Sequence, residues 1–135
     1  MKNNNEFKIF LKKSELCKAV CLMNKDIRFV AVINKNGRFT ENESKDDSLL
    51  SEKELEMISM QRLLQTSMIQ EFDKKLSPFN QTIAIREHAI EFVCPLNGEL
   101  LFILSNKNVD IKQMSADLLS LVDNFNMKDP NTIVV

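Results

Sequence analysis

The sequence predicts an α+β domain, a five-stranded antiparallel sheet flanked by helices in the order α-β-β-α-β-β-β-α. Three observations carry that expectation. Both glycines of the 135-residue chain follow an asparagine, in Asn36-Gly37 and Asn97-Gly98, and each pair lies between apolar, β-branched runs, a strong hairpin signal. Between the hairpins, residues 51–76 carry apolar side chains at helical spacing behind a capping sequence. The run Leu100-Leu101-Phe102-Ile103-Leu104 lacks alternation, as a central strand covered on both faces would.

The elements follow in order. Residues 7–24 read as a helix, or as two shorter ones, with Phe7, Phe10, Leu11, Leu16, Val20 and Met23 on a wide apolar face. Ser14 is a candidate N-cap within it, because its hydroxyl can accept from the first free amides. In the first hairpin Ile27, Phe29, Ala31 and Ile33 alternate with Arg28, Val30 and Val32. Gly37 is expected to be the left-handed residue after a type I turn, forming a G1 bulge that sets Asn34 against Arg38 and Ile33 against Phe39. A simple two-residue loop would instead put the amide of Asn34 opposite Phe39. The same geometry at Gly98 sets Pro95 opposite Glu99, Cys94 against Leu100 and Phe92 against Phe102, with Pro95 ending its strand beside the turn.

Residues 41–50 are polar and acidic and read as a loop. Ser51-Glu52-Lys53-Glu54 has capping-box spacing, and a long helix is expected from there to about Leu76. At 100° per residue its apolar side chains, from Met60, Leu64, Met57 and Met68 round to Ile69 and Leu55, cover about 220°, roughly twice what one sheet face needs. Either the N-terminal helix or a second copy of the protein covers the surplus. Met57, Met60, Leu64 and Met68 are the candidate dimer-interface residues, and Gly37 and Gly98 the candidate structural turns. Ser77-Pro78 stops the helix. Strands then follow at Gln81–Arg86, Ala89–Cys94 and Glu99–Leu104. Asp110-Ile111-Lys112-Gln113 opens a last helix with Ile111, Met114, Leu118, Leu121, Val122 and Phe125 on one face. Residues 1–125 are expected to form one domain and residues 126–135 a tail, of which Asn131–Val135 could pair with a sheet edge.

Composition narrows the function classes. Residues 1–40 carry nine Lys or Arg against three acids, and residues 41–56 seven acids against two bases. The bases form no stripe, there is no Tyr or Trp, and Phe29 and Phe39 occupy apolar-face positions, so nucleic-acid binding is not expected. Apolar stretches are strand-sized and the first six residues do not resemble a signal peptide; a soluble, cytoplasmic protein without membrane contact is expected. Three cysteines without a C-x-x-C pair read as apolar fillers rather than a disulfide or zinc framework. His88 is the only histidine and falls in a turn. Cys17 and Cys21 lie one helical turn apart and read as packing residues. Glu91 and Glu99 share a hairpin, with nothing in the pattern to bury them. Two glycines, both in hairpins, leave none for a phosphate-cradling loop. No catalytic, metal or cofactor site is expected.

Residues 27–39 resemble the first hairpin of the roadblock / dynein light chain family of profilin-like domains, with its polar turn ending in glycine. Residues 91–104 resemble that family's last hairpin, and Asn108-Val109-Asp110-Ile111 stands where the family often has an Asn-Leu-Gly-like entry to its final helix. Val109 and Asp110 differ from that entry, and the methionine-rich long helix differs from the small-residue-rich helix usual there. The lysine- and asparagine-rich composition also resembles that of small archaeal proteins. The resemblance covers about residues 7–125 and implies a non-enzymatic dimer that scaffolds or regulates a small GTPase or a signalling complex. The alternative is a PAS-like sensor holding a small ligand between sheet and helix, for which a polar-lined chamber would be the mark. All nine aromatics are Phe, without the polar handle that commonly orients a ligand, which favours the scaffold.

Overall fold

The structure, a computed structural model, describes residues 13–45 and 50–126. The elements are α1 (Lys13–Met23), β1 (Ile27–Ile33), β2 (Phe39–Ser44), α2 (Glu52–Gln70), α3 (Asp73–Leu76), β3 (Thr82–Ile85), β4 (Ala89–Leu96), β5 (Glu99–Asn106) and α4 (Ile111–Asn126). All strand pairs are antiparallel, and the sheet order is β2-β1-β5-β4-β3. The predicted order of elements holds, with α3 as a short addition after the long helix.

The turn of the first hairpin forms as its sequence dictates, but its second strand runs on through residues 41–44, expected in a loop: pairing with β1 holds this polar segment as an edge strand. Ile33 pairs with Phe39, Gly37 N–H donates to Asn34 O at 2.9 Å, and Asn34 N–H donates to Arg38 O at 2.8 Å. Gly37 has φ +77°, a region in which a Cβ is strained. The second hairpin differs from expectation by one residue. Leu96 faces Glu99, Pro95 faces Leu100, Cys94 faces Leu101 and Phe92 faces Ile103. Asn97 at φ 49° and Gly98 at φ 83° both occupy the left-handed region, so this is a two-residue turn of the primed kind. Both strands are apolar on both faces, so the hydrophobic pattern does not distinguish the two registers. Pro95 therefore lies inside β4, one pair from the turn. That pair is of the non-bonded kind towards β5, and β3 stops at the Thr82–Val93 pair, so its missing N–H leaves no ladder position empty.

Two apolar layers sandwich the sheet. On one face Leu16, Cys17, Val20 and Cys21 of α1 and Met114, Leu118 and Val122 of α4 pack on Val30, Val32, Phe92, Leu101 and Ile103. On the other, Leu55, Ile58 and Leu63 of α2 pack on Phe29, Ala31, Ile33, Val93 and Phe102. A shift in the β1 ladder between Ile27 and Phe29 breaks the predicted alternation, and Ile27 joins Val30 and Val32 on the α1 side. Central strands β1 and β5 are buried on both faces, as the unbroken run 100–104 implies.

Helix ends follow local chemistry. Ser51 and Glu54 make the reciprocal capping box. The long helix does not reach Leu76 unbroken: Glu71 and Phe72 donate to carbonyls three residues back, which tightens the last turn and separates α3. Ser77, at φ 79°, and Pro78 then end the helical stretch. Asp110 Oδ1 accepts from Gln113 N–H at 3.1 Å, capping α4. Ser14 lies inside α1 rather than at a cap, since the helix already includes Lys13. Phe7, Phe10, Leu11 and Asn131–Val135 lie outside the described residues, as does most of the expected tail.

Candidate functional site

α2 presents apolar side chains on two opposite faces. Its inner seam is Leu55, Ile58, Ser59, Arg62, Leu63 and Thr66, with Ser59 and Thr66 fully or almost fully buried. At 100° per residue, Met57, Met60, Leu64 and Met68 centre about 180° away from that seam. They are 61%, 44%, 58% and 64% exposed. Phe72 and Leu76 carry exposed apolar surface on past the end of α2, whereas Ile83 and Ile85, also exposed on the edge strand β3, pair with Phe92 and Ile90 and so lie on the α1/α4 face.

The broad arc expected for this helix therefore resolves into two seams. α1 covers none of the outer one, because it lies on the other face of the sheet. Three polar residues complete the inner seam, and a reading based on apolar spacing alone misses them. Their spacing is itself a signal: Ser59 and Thr66, seven residues apart, are small enough to let the helix approach the sheet.

Polar contacts fix α2 in position. Ser59 Oγ donates to Gly37 O at 2.7 Å, tying the helix to the first hairpin turn. Arg62 forms a bidentate pair with Glu91 of β4, its Nη2 donating to Oε1 at 3.0 Å and its Nε to Oε2. The hydrogen bond from Arg62 to Glu91 raises the guanidinium pKa, against the lowering effect of burial. Glu91 is 3% exposed, which corrects the expectation that nothing buries it. Glu99 ion-pairs with Lys13 of α1 on the opposite side of the sheet, so the two carboxylates do not meet.

The remaining candidates for chemistry are dispersed. His88 is exposed between β3 and β4, beside Glu87. Cys17, Cys21 and Cys94 are free thiols buried on the α1/α4 side. Burial pushes Cys17 and Cys94 up to about 11, with Glu41 and Glu43 adding to the shift at Cys17, while a hydrogen bond from Gln81 opposes it at Cys94. Among the described residues, no group of three or more His, Cys, Asp or Glu is placed to hold a metal ion, and no helix is long and apolar enough to cross a membrane.

No family model and no curated protein matches the sequence. Solved structures do match in shape. A roadblock/LC7 domain from Streptomyces avermitilis is similar with a TM-score of 0.65 and 11% identity, over 82% of this chain and 91% of that one. The gliding protein MglB from Thermus thermophilus is similar with a TM-score of 0.70 and 10% identity, over 98% of this chain and 96% of that one. An MglB structure described as having a tetrameric arrangement also has a TM-score of 0.70, at 9% identity, over 96% of this chain and 93% of that one. With the element order and sheet topology above, these likenesses establish that the chain has the roadblock-like α+β fold.

Proposed function

We propose that this protein is a non-catalytic interaction module that self-associates through the outer seam of α2 and the adjoining β3 edge, and in that form scaffolds or regulates a small GTPase or a signalling complex. The exposed seam Met57, Met60, Leu64 and Met68 carries the proposal, since nothing within the described fold covers it. An apolar row of this kind opposite an already packed face fits the burial of a partner helix. Methionine suits such a surface because its flexible thioether adapts to the facing side chains. The tetrameric arrangement of one MglB structure adds support for assembly, and the resemblance to roadblock domains supports the partner class. The filled apolar layers over the central strands favour this reading over a sensor that encloses its ligand there; the polar-walled space between β2 and α2 is a groove at the sheet edge and not an enclosed chamber.

Leu64→Glu tests the proposal. The side chain is 58% exposed in the single chain, so the variant should remain folded by circular dichroism. In an assembled protein the same carboxylate would be buried without a partner, at a cost of several kcal/mol that dissociation avoids. Sedimentation should show a dimeric parent and a monomeric, folded variant. A parent that stays monomeric at high concentration removes the proposal.

A further inference from the structure

A second feature of the same sheet face is a groove of about 670 Å³ between β2 and the first half of α2. Its size is within the range of small-ligand sites. Phe29, Phe39 and Asn42 form the floor, Glu52, Leu55 and Glu56 the helix-side wall, and Arg38 closes the end beside the first turn. The outer seam of α2 is a different surface, and the two share only Met60 at their border.

The floor is shaped by a bulge in β2. The ladder shifts between Val32 and Ile33, leaving Thr40 as the extra residue, so Phe39 and Asn42 share the α2 face. Glu41 and Glu43 pair with Val32 and Val30 and point to the α1 face. β2 is also the end strand of the sheet. Lys45 N–H donates to Arg28 O at 3.1 Å, and bonded pairs recur at every second residue of an antiparallel ladder. The bonded pairs are therefore Glu43 with Val30 and Glu41 with Val32, which turns the main-chain N–H and C=O of Asn42 away from β1.

We propose that the β2 edge and this groove bind an extended basic peptide segment of a partner protein, in which lysine or arginine alternates with apolar residues. The period of two in a strand accounts for both features of that chemistry. Apolar side chains on one face enter the groove over Phe29, Phe39 and Leu55. Cationic side chains on the other face lie beside Glu41 and Glu43, where opposite charges across a strand pair stabilise it and like charges oppose it. Asn42 supplies the main-chain donor and acceptor, as in other cases of strand addition at a sheet edge.

The test uses the full chain and two fluorescein-labelled hexapeptides, one alternating lysine with valine and one alternating glutamate with valine. Fluorescence anisotropy should show the lysine peptide binding at least tenfold more tightly, with amide shifts confined to β2 and the first half of α2. Asn42→Pro removes an outward-facing donor that an edge strand can lose without disturbing its inner ladder. That variant and E41Q/E43Q should each weaken binding at least fivefold while circular dichroism is unchanged. Equal affinity for the two peptides, shifts on another face, or insensitivity to Asn42→Pro overturns the proposal. So does binding seen only after removal of residues 1–12, which would assign the groove to the chain's own basic N-terminus. None of the substituted residues lies on the outer seam of α2, so this result and the Leu64→Glu result are read separately.

Discussion

Gly37 shows how much one residue can specify. Its positive φ closes the first turn, its carbonyl accepts from Ser59, and a Cβ built on it would lie 2.9 Å from Met60 Cε and 3.4 Å from Leu63 Cδ2. The methionine end can move, but the backbone penalty cannot be relieved. Gly37→Ala should therefore destabilise the protein by about 1 kcal/mol or more, read as a lower denaturation midpoint. The cysteines give a pH-dependent prediction. The folded-state pKa values of Cys17 and Cys94 are raised from 9.0 to about 11, so an unfolded chain loses these protons first as pH rises. Their contribution is fully present below pH 9 and is lost between pH 9 and about 11. Replacing both by alanine should flatten the fall in stability across that window, measured by urea unfolding at stepped pH.

At the scale of elements, α2 is the unusual member. Leu55, Ile58 and Leu63 meet the cluster of Phe29, Phe39 and Phe102, whose ring centroids are 5.9–6.2 Å apart. The rest of its inner seam is polar, and Arg62–Glu91 is the charged contact holding it over β4. Arg62→Met would leave Glu91 buried without its partner and should cost about 3 kcal/mol. Adding Glu91→Gln should recover part of that loss, because no buried carboxylate then remains. A double-mutant cycle by chemical denaturation measures the coupling. A coupling near zero would mean that apolar packing alone places the helix.

The described residues form three layers, with α1 and α4 packed on one face of the sheet and α2 on the other. The α2 layer is thin, and its outer surface is apolar. If a second copy covers that surface, assembly is linked to folding by mass action, and the melting temperature rises with protein concentration. We expect that rise in the parent and its absence in Leu64→Glu. Scanning calorimetry over a hundredfold range of concentration checks it; a concentration-independent parent would speak against assembly.

Local signals along the chain set the order of elements, the first turn with its glycine bulge, the capping box at Ser51 and the central place of β5. Each of these depends on neighbours within a few residues: a glycine free to adopt positive φ, a hydroxyl three residues before a glutamate, an apolar run with no polar face. Contacts between distant parts of the chain set the rest, beginning with the acidic residues 41–44, which become a strand by pairing with β1. The turn at Gly98 was not legible because Asn97 is also left-handed there and both flanking strands are apolar on both sides. The two seams of α2 could not be separated along the chain, since which face meets the sheet depends on Gly37 and Glu91 arriving from distant strands to satisfy Ser59 and Arg62. The burial of Glu91 and the separation of Glu91 from Glu99 have the same origin. Polar groups can enter a core only where the fold brings them partners, and those partners lie tens of residues away in the chain.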